Sequence, residues 1–272
     1  MAKAGHLRSR IACRGAVGGI LRVATRGHHT KVPLWFATPG DYSVDMNVLA
    51  IDIGGTHVKI LVSGEKEARK FPSGPTMTPP MMIAGVKQLA ADWKFEVISL
   101  GYPGPVLHNR PVTEPHNLAK GWTTFDFQRA FKRPVKFMND AAMQALGSYR
   151  GGKLLFLGLG TGLGTTMIVD GIVEPMELAH LPYKKATYED YIGLRGLKKY
   201  GDQKWNKHVV DVVEQLIAAL EPDDIVLGGG NAKLLKKLPT GCRLGDNANA
   251  FLGGFRLWTE KSAPKRRRAS SQ

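Results

Sequence analysis

Two glycine-rich turns in this chain could hold an anion between them. One lies in LAIDIGGTHVKILV, beginning at Leu49, and the other in LLFLGLGTGLGTTMIV, beginning at Leu154. Each joins two apolar runs through a tight turn whose backbone N–H groups are left open by the missing side chains, and such N–H concavities take up phosphate. Phosphoryl transfer is therefore the leading chemistry. Asp52 stands at the end of the first apolar run, and Asn139-Asp140 stands just ahead of the helix-forming stretch AAMQAL. Taken alone, Asp52 also reads as a strand-end group capping its own turn, and Asn139-Asp140 as an ordinary helix start.

The elements that must carry these residues follow from periodicity and punctuation. Residues 48–53 and 58–62 predict a hairpin around Gly54 and Gly55, followed by a Pro-rich turn and a helix over 80–93. Strands are expected at 97–100 and 135–138, with the GYPGPV segment from Gly101 a rigid loop because Pro103 and Pro105 lack N–H donors. The second half repeats the theme. Strands flank the turn at 158–164, a helix is expected near 208–220, a strand at 225–227, then Gly228, Gly229 and Gly230 before a further helical stretch, and a closing helix over 246–258. A strand-turn-strand, helix, strand order in both halves predicts an α/β fold of two similar lobes, 46–140 and 141–258, with ligands in the cleft between them.

Composition narrows the class. The chain has 272 residues, enough for two lobes, and its 43% hydrophobic and 22% charged residues read as a soluble globular protein. The formal charge of +15 suggests a nucleic-acid partner until it is divided along the chain. Seven Lys/Arg against two Asp fall in residues 1–45, and five against one Glu in residues 259–272, where Lys265 to Arg268 reads KRRR. The remaining excess fits an anionic substrate and argues against DNA or RNA. Residues 1–45 show no sustained period and read as disordered or as an upstream extension, with Met46 a candidate physiological start; residues 259–272 read as a solvated basic tail. Cys13 and Cys242 are the only cysteines, so a zinc knuckle and a disulfide framework are both excluded and a reducing compartment fits. No apolar run approaches about 18 residues, so no membrane partner is expected and a cytoplasmic enzyme is the simple reading.

Seven ordered segments resemble one known family. They are DIGGTHVK from Asp52, GYPGPV from Gly101, HNLAKGW from His116, FMNDAAMQALG from Phe137, LGLGTGLGTT from Leu157, EPMELAH from Glu174 and IVLGGGNAK from Ile225. Together they resemble the ROK-type sugar kinases of the actin-like ATPase superfamily, and within it the polyphosphate glucokinase group. The resemblance covers residues 46–258 and implies two ribonuclease H-like lobes around a central cleft.

What it implies for function is specific. Gly54, Gly55 and Thr56 would form the first phosphate turn, Gly160, Thr161, Gly162 and Gly164 the second, and Gly228, Gly229 and Gly230 the nucleotide side. Asp52 matches the carboxylate that positions Mg²⁺ directly or through water, and Asp140 the general base for the sugar 6-hydroxyl. Asn117, Asn139, Asp140, Glu177, His180 and Glu189 match the sugar cage, although ELAH stands where the family usually has ELGH, and Glu189 also reads as a surface helix residue. No structural zinc is expected, since no cysteine follows His180 until Cys242. The implied reaction is transfer from inorganic polyphosphate, and from ATP as well, to the 6-hydroxyl of glucose. Two alternatives stay open: a strictly ATP-dependent glucokinase, and a non-enzymatic sugar-binding or regulatory protein. Against the latter, residues 1–45 lack the pattern of a winged helix-turn-helix. Related kinases are commonly dimers, which leaves a homodimer open for this chain.

Overall fold

The apolar run that opens at Val48 is buried at every position, so it has to be a strand covered on both faces rather than one with a wet side. A computed structural model of the chain describes residues 46–259, together with the backbone of two earlier strands. Those two, β1 (Ile20–Thr25) and β2 (His28–Pro33), pair antiparallel with Ile20 opposite Pro33, a hairpin the aperiodic sequence there does not suggest. The expectations for the rest of residues 1–45 and for the basic tail lie outside the described residues.

Residues 44–258 form one unit. It opens with β3 (Val48–Ile53), β4 (His57–Val62) and β5 (Arg69–Pro72), followed by α1 (Pro79–Leu89), which Thr78 caps through the amide of Met81. Then come β6 (Val97–Tyr102), the short pair β7 (Val106–Leu107) and β8 (Arg110–Pro111), α2 (Phe127–Phe131), β9 (Val135–Asn139) and α3 (Asp140–Ser148). The second half runs through β10 (Lys153–Leu159), β11 (Leu163–Val169) and β12 (Ile172–Met176), the pair β13 (Pro182–Tyr183) and β14 (Ala186–Thr187), α4 (Tyr188–Ile192) and α5 (Leu194–Leu220). It ends with β15 (Asp224–Gly228), β16 (Cys242–Leu244) and α6 (Asn249–Arg256).

The two five-stranded sheets share one topology. The first has the order β5-β4-β3-β6-β9 and the second β12-β11-β10-β15-β16. In each, three consecutive strands form an antiparallel meander and two more add in parallel to the first of them. This is the ribonuclease H-like arrangement that the resemblance implies, given twice.

Strand alternation decides which helix covers which face. Leu49, Ile51 and Ile53 join Met82 and Val86 of α1 in one core, while Leu155, Leu157 and Leu159 join Trp205, Val209 and Val213 of α5 in another. The opposite faces turn toward α3 and α6. Leu154 and Phe156 pack with Ala141 and Ala145 of α3, and Ser99 of β6 donates to the Gly254 carbonyl of α6 at 2.6 Å. A β-carbon on Gly147 would run into the Asn249 backbone, and one on Gly253 into that of Met143, so these glycines let α3 and α6 lie backbone to backbone. The last helix therefore returns to the first sheet, whereas the sequence reading assigned it wholly to the second lobe.

Other differences are local. The helix expected over 208–220 begins at Leu194 and contains a break at Gly201, where φ is 68°. The stretch after Gly230 is only a single 3₁₀ turn, Ala232–Leu234. Among the described residues no helix is long and apolar enough to cross a membrane.

Candidate active site

Parallel strands end in register at one edge of the first sheet. Asp52 of β3 lies opposite Gly101 of β6, which lies opposite Met138 of β9, one residue before Asn139. Adjacent strands are about 4.8 Å apart, so the backbones of Asp52 and Met138 stand about 10 Å apart with a glycine between them. Carboxyl ends of parallel strands are where α/β sheets bind ligands. Asp52 and Gly101 occupy the face turned toward α3, and the Met143 side chain of α3 lies over Gly101.

Asn139 caps α3: its Oδ1 accepts from the Ala142 amide at 3.1 Å, and its Nδ2 donates to the Gly104 carbonyl at 3.2 Å. Asp140 is thereby the first residue of the helix rather than its cap, and its Oδ1 accepts from the Ala141 amide at 2.7 Å. A helix N-terminus favours a carboxylate. Burial and the neighbouring Asp52 charge outweigh it, and raise the Asp140 pKa to about 7. Asp52 is 7% exposed, and burial pushes its carboxyl up as well, opposed by Lys59, whose Nζ donates to Oδ2 at 3.3 Å. The hairpin register places Lys59 directly opposite Asp52.

The first glycine turn closes with the Gly54 amide donating to the His57 carbonyl at 3.0 Å, and the Ser73 hydroxyl donates to the Gly54 carbonyl at 2.6 Å. Thr56 is exposed at its tip. Beside it, a β-carbon on Gly55 would stand 3.1 Å from Asn117 Cβ, so the first glycine turn and one predicted sugar ligand touch.

The second turn is held by side chains from elsewhere. Asn231 Nδ2 donates to the Gly160 carbonyl at 2.9 Å, and its backbone amide donates to Leu159 O at 2.9 Å. Gly229 has φ +82° and presses on the Leu159 backbone, a conformation and an approach that only glycine supplies. On the other side Glu189 of α4 reaches Gly162, and its Oε2 accepts from the Leu163 amide at 3.2 Å. A β-carbon on Gly164 would lie 2.7 Å from Ala141 Cβ, which brings the second turn's returning strand against the helix that begins at Asp140.

The predicted residues thus fall into connected groups. Asp52 and Asp140 interact, Gly55 meets Asn117, Gly160 is bonded by Asn231, which follows the Gly228–Gly230 segment, and Gly162 meets Glu189. Glu177 and His180 pair with each other at 3.7 Å, with side chains 71% and 74% exposed. Among the described residues no hydrogen bond or ion pair joins either to Asp140. Lys59, Ser73 and Asn231 were assigned no role from sequence. Lys59 was legible in principle, since a four-residue turn between 53 and 58 fixes 59 opposite 52.

Residues 48–174 match the ROK family. A polyphosphate glucokinase of Mycobacterium tuberculosis is 26% identical over 224 residues, covering 74% of this chain and 83% of that protein. A glucokinase of Pyrobaculum calidifontis is 25% identical over 131 residues, which span 46% of this chain and less than half, 44%, of that protein. Among solved structures, the inorganic polyphosphate/ATP-glucomannokinase of Arthrobacter sp. strain KM superposes with a TM-score of 0.66 at 22% identity, covering 76% of this chain and 96% of that one. The motifs, the duplicated sheet and these likenesses agree on a ROK family domain match over residues 48–174 and on the actin-like ATPase fold.

Proposed function

We propose that this chain transfers the terminal phosphoryl group of inorganic polyphosphate, and of ATP, to the 6-hydroxyl of glucose. The observation that carries the reading is the convergence of two carboxylates, Asp52 and Asp140, with two glycine turns at the strand ends. Asp140, raised to about 7, is matched to a base that must accept a proton near neutral pH. It takes the 6-hydroxyl proton as that oxygen bonds to phosphorus and the bridging P–O bond of the donor breaks, leaving the electron pair on the departing phosphate. The turns of Gly54–Thr56 and Gly160–Gly164 orient the donor through backbone N–H groups, since phosphoryl transfer needs alignment and charge neutralisation above all. Asn117, Asn139, Glu177, His180 and Glu189 serve the sugar side, with Glu189 also bracing the second turn through Leu163.

Asp52 fits a hard dication: Mg²⁺ is held by one or two carboxylates with waters and substrate phosphates, and Asp52 offers a buried carboxylate whose one cationic partner among the described residues is the half-exposed Lys59. Bound there, Mg²⁺ would neutralise charge on the transferring phosphoryl group.

For the donor, the support is a run of exposed lysines near the second turn. Lys198, Lys199, Lys204 and Lys207 lie on α5, and Lys233, Lys236 and Lys237 follow the glycine segment. The Lys236 amide donates to Asn206 Oδ1 at 3.1 Å, which joins the two groups into one basic surface. A long polyanion reaches more of these positions than ATP does, and its binding weakens as salt rises. Initial rates of the full chain with glucose, Mg²⁺ and either donor at several salt concentrations test this. Polyphosphate is expected to have the higher kcat/KM, and replacing Lys233, Lys236 and Lys237 together should raise its KM more than that of ATP. A higher kcat/KM with ATP at every salt concentration makes the chain a strictly ATP-dependent glucokinase, and glucose binding with no turnover on either donor makes it a sugar-binding protein.

A further inference from the structure

Glu114 lies in the loop between β8 and α2, outside every motif considered above. Its carboxylate accepts four hydrogen bonds: Oε2 from the amides of Gly121 at 2.9 Å and Trp122 at 3.0 Å, and Oε1 from the amide of Thr123 at 3.2 Å and the Thr123 hydroxyl at 2.6 Å. Burial pushes this carboxyl up, but the Thr123 hydroxyl and the three amides more than offset it and hold the group below the usual carboxylate range. Glu114 therefore stays charged at neutral pH, where charge-assisted bonds are the strong ones.

These bonds close a loop over residues 114–123. Pro115, Leu118 and Trp122 are buried beneath it, and the Ala119 amide donates to the Met77 carbonyl at 3.1 Å. At its crown sits Asn117, exposed and packed against Gly55 of the first phosphate turn. Among the described residues the Asn117 amide has no hydrogen-bond partner, so the loop backbone alone sets where it points.

We infer that Glu114 is a positioning residue for the sugar site: by clasping Gly121, Trp122 and Thr123 it holds Asn117 beside the first phosphate turn and so sets the affinity for the acceptor. The acceptor's identity as glucose rests on the proposed function. The clasp itself does not.

The test uses Glu114→Gln in the full chain. The amide keeps the size but offers one acceptor and turns an NH₂ group toward backbone N–H donors. Hydrogen exchange at Gly121, Trp122 and Thr123 should speed up by about tenfold or more, as expected when a charge-assisted bond is lost. KM for glucose should rise about tenfold with kcat within about threefold, the pattern of lost binding rather than lost chemistry. Thr123→Val, which removes one donor of four, should give the same pattern at about threefold and serves if Glu114→Gln folds poorly. In a double-mutant cycle, Glu114→Gln should add little to the KM of Asn117→Ala, since one acts through the other. Unchanged exchange at the three amides, fully additive KM effects, or a fall in kcat with KM unchanged would each overturn the assignment. A wild-type chain inert toward glucose defeats the proposed function instead, and the exchange measurement still decides whether Glu114 holds the loop.

Discussion

The same rung of the two sheets carries opposite chemistry. In the first, Asp52 faces Lys59 across the hairpin and Gly101 across the parallel pair. In the second, the equivalent position is Gly158, which faces Gly164 and Gly228. One half places a charged pair one residue before its turn; the other is bare. The turns differ to match. The first is closed by its own backbone and Ser73, while the second is braced by Asn231 and Glu189 from distant elements. On the proposed function the duplicated fold divides its labour: one copy would supply carboxylates for metal and proton, the other an uncrowded backbone along which a phosphate chain would lie.

The largest effect should come from Asp140, the proposed base beside the charged copy. Asp140→Asn keeps the size and the bond to the Ala141 amide but removes the proton acceptor, and kcat should fall by about 10² to 10⁴-fold. Stability should move the other way. Asp140 titrates near 7 in the fold, against about 3.9 in an unfolded chain. Between those values the native state holds the extra proton, so this group makes the fold less stable as pH rises through that window, with the full cost above about 7. Asp140→Asn should therefore have a higher Tm than wild type at pH 8, and the gap should close toward pH 4. Equal Tm values at pH 8 would show that burial does not strain this carboxyl. In the wild type, kcat/KM should rise with pH up to about 7 as the base loses its proton.

Next is to copy the charge into the bare half. Gly158→Asp puts a carboxylate on the rung equivalent to Asp52 without a lysine opposite. A β-carbon there would come no closer than 3.3 Å, to Phe156, so repulsion of the donor rather than collapse of the sheet should dominate. Like charges brought together cost several kcal/mol, and kcat/KM for either donor should fall by about 100-fold, with glucose binding measured by calorimetry nearly unchanged. A variant of normal activity would mean the second turn does not hold phosphate.

How much of this could be read in advance varies with the physics. The strands β3, β6, β10 and β15 and the two turns were legible because strands buried on both faces leave continuous apolar runs ending at glycine. The edge strands β5, β12 and β16 are short and half wet, and carry no such run. The first half of α5 is rich in lysine and interrupted at Gly201, which hides its start. The close packing of α6 on α3 depends on small residues 106 positions apart, Gly147 and Gly253, and its return to the first sheet on Gly254 against Ala50 and Ser99, pairings that no local pattern encodes. Asp52, Asp140 and the glycines, which the fold brings together at the strand ends, stand out through their flanking motifs, and their roles are those of the proposed function. The Glu114 clasp does not stand out, since its donors are backbone amides, which every sequence has.

The smallest effect should come from the other member of the charged rung. Lys59 is the cation opposite Asp52, its side chain 40% exposed and at 3.3 Å. Burial drives Asp52 toward the protonated form and Lys59 opposes it. Lys59→Met keeps the aliphatic stem along the strand and deletes the charge, so the Asp52 pKa should rise further and a proton should compete better with Mg²⁺ for the carboxylate. Because the competitor is a proton, the defect depends on pH. At pH 6, kcat/KM should drop several-fold, because losing the Lys59 charge pushes the Asp52 carboxyl further up, and the loss should shrink steadily as pH is raised to 8.5. Raising Mg²⁺ at pH 6 should recover most of the activity by the same competition. If Lys59 instead acts directly on the phosphoryl group, deletion of its charge lowers kcat equally at every pH and Mg²⁺ does not rescue it. A profile of kcat/KM against pH at two Mg²⁺ concentrations separates these outcomes, and a flat deficit would move Lys59 from tuning the carboxylate to the reacting centre itself.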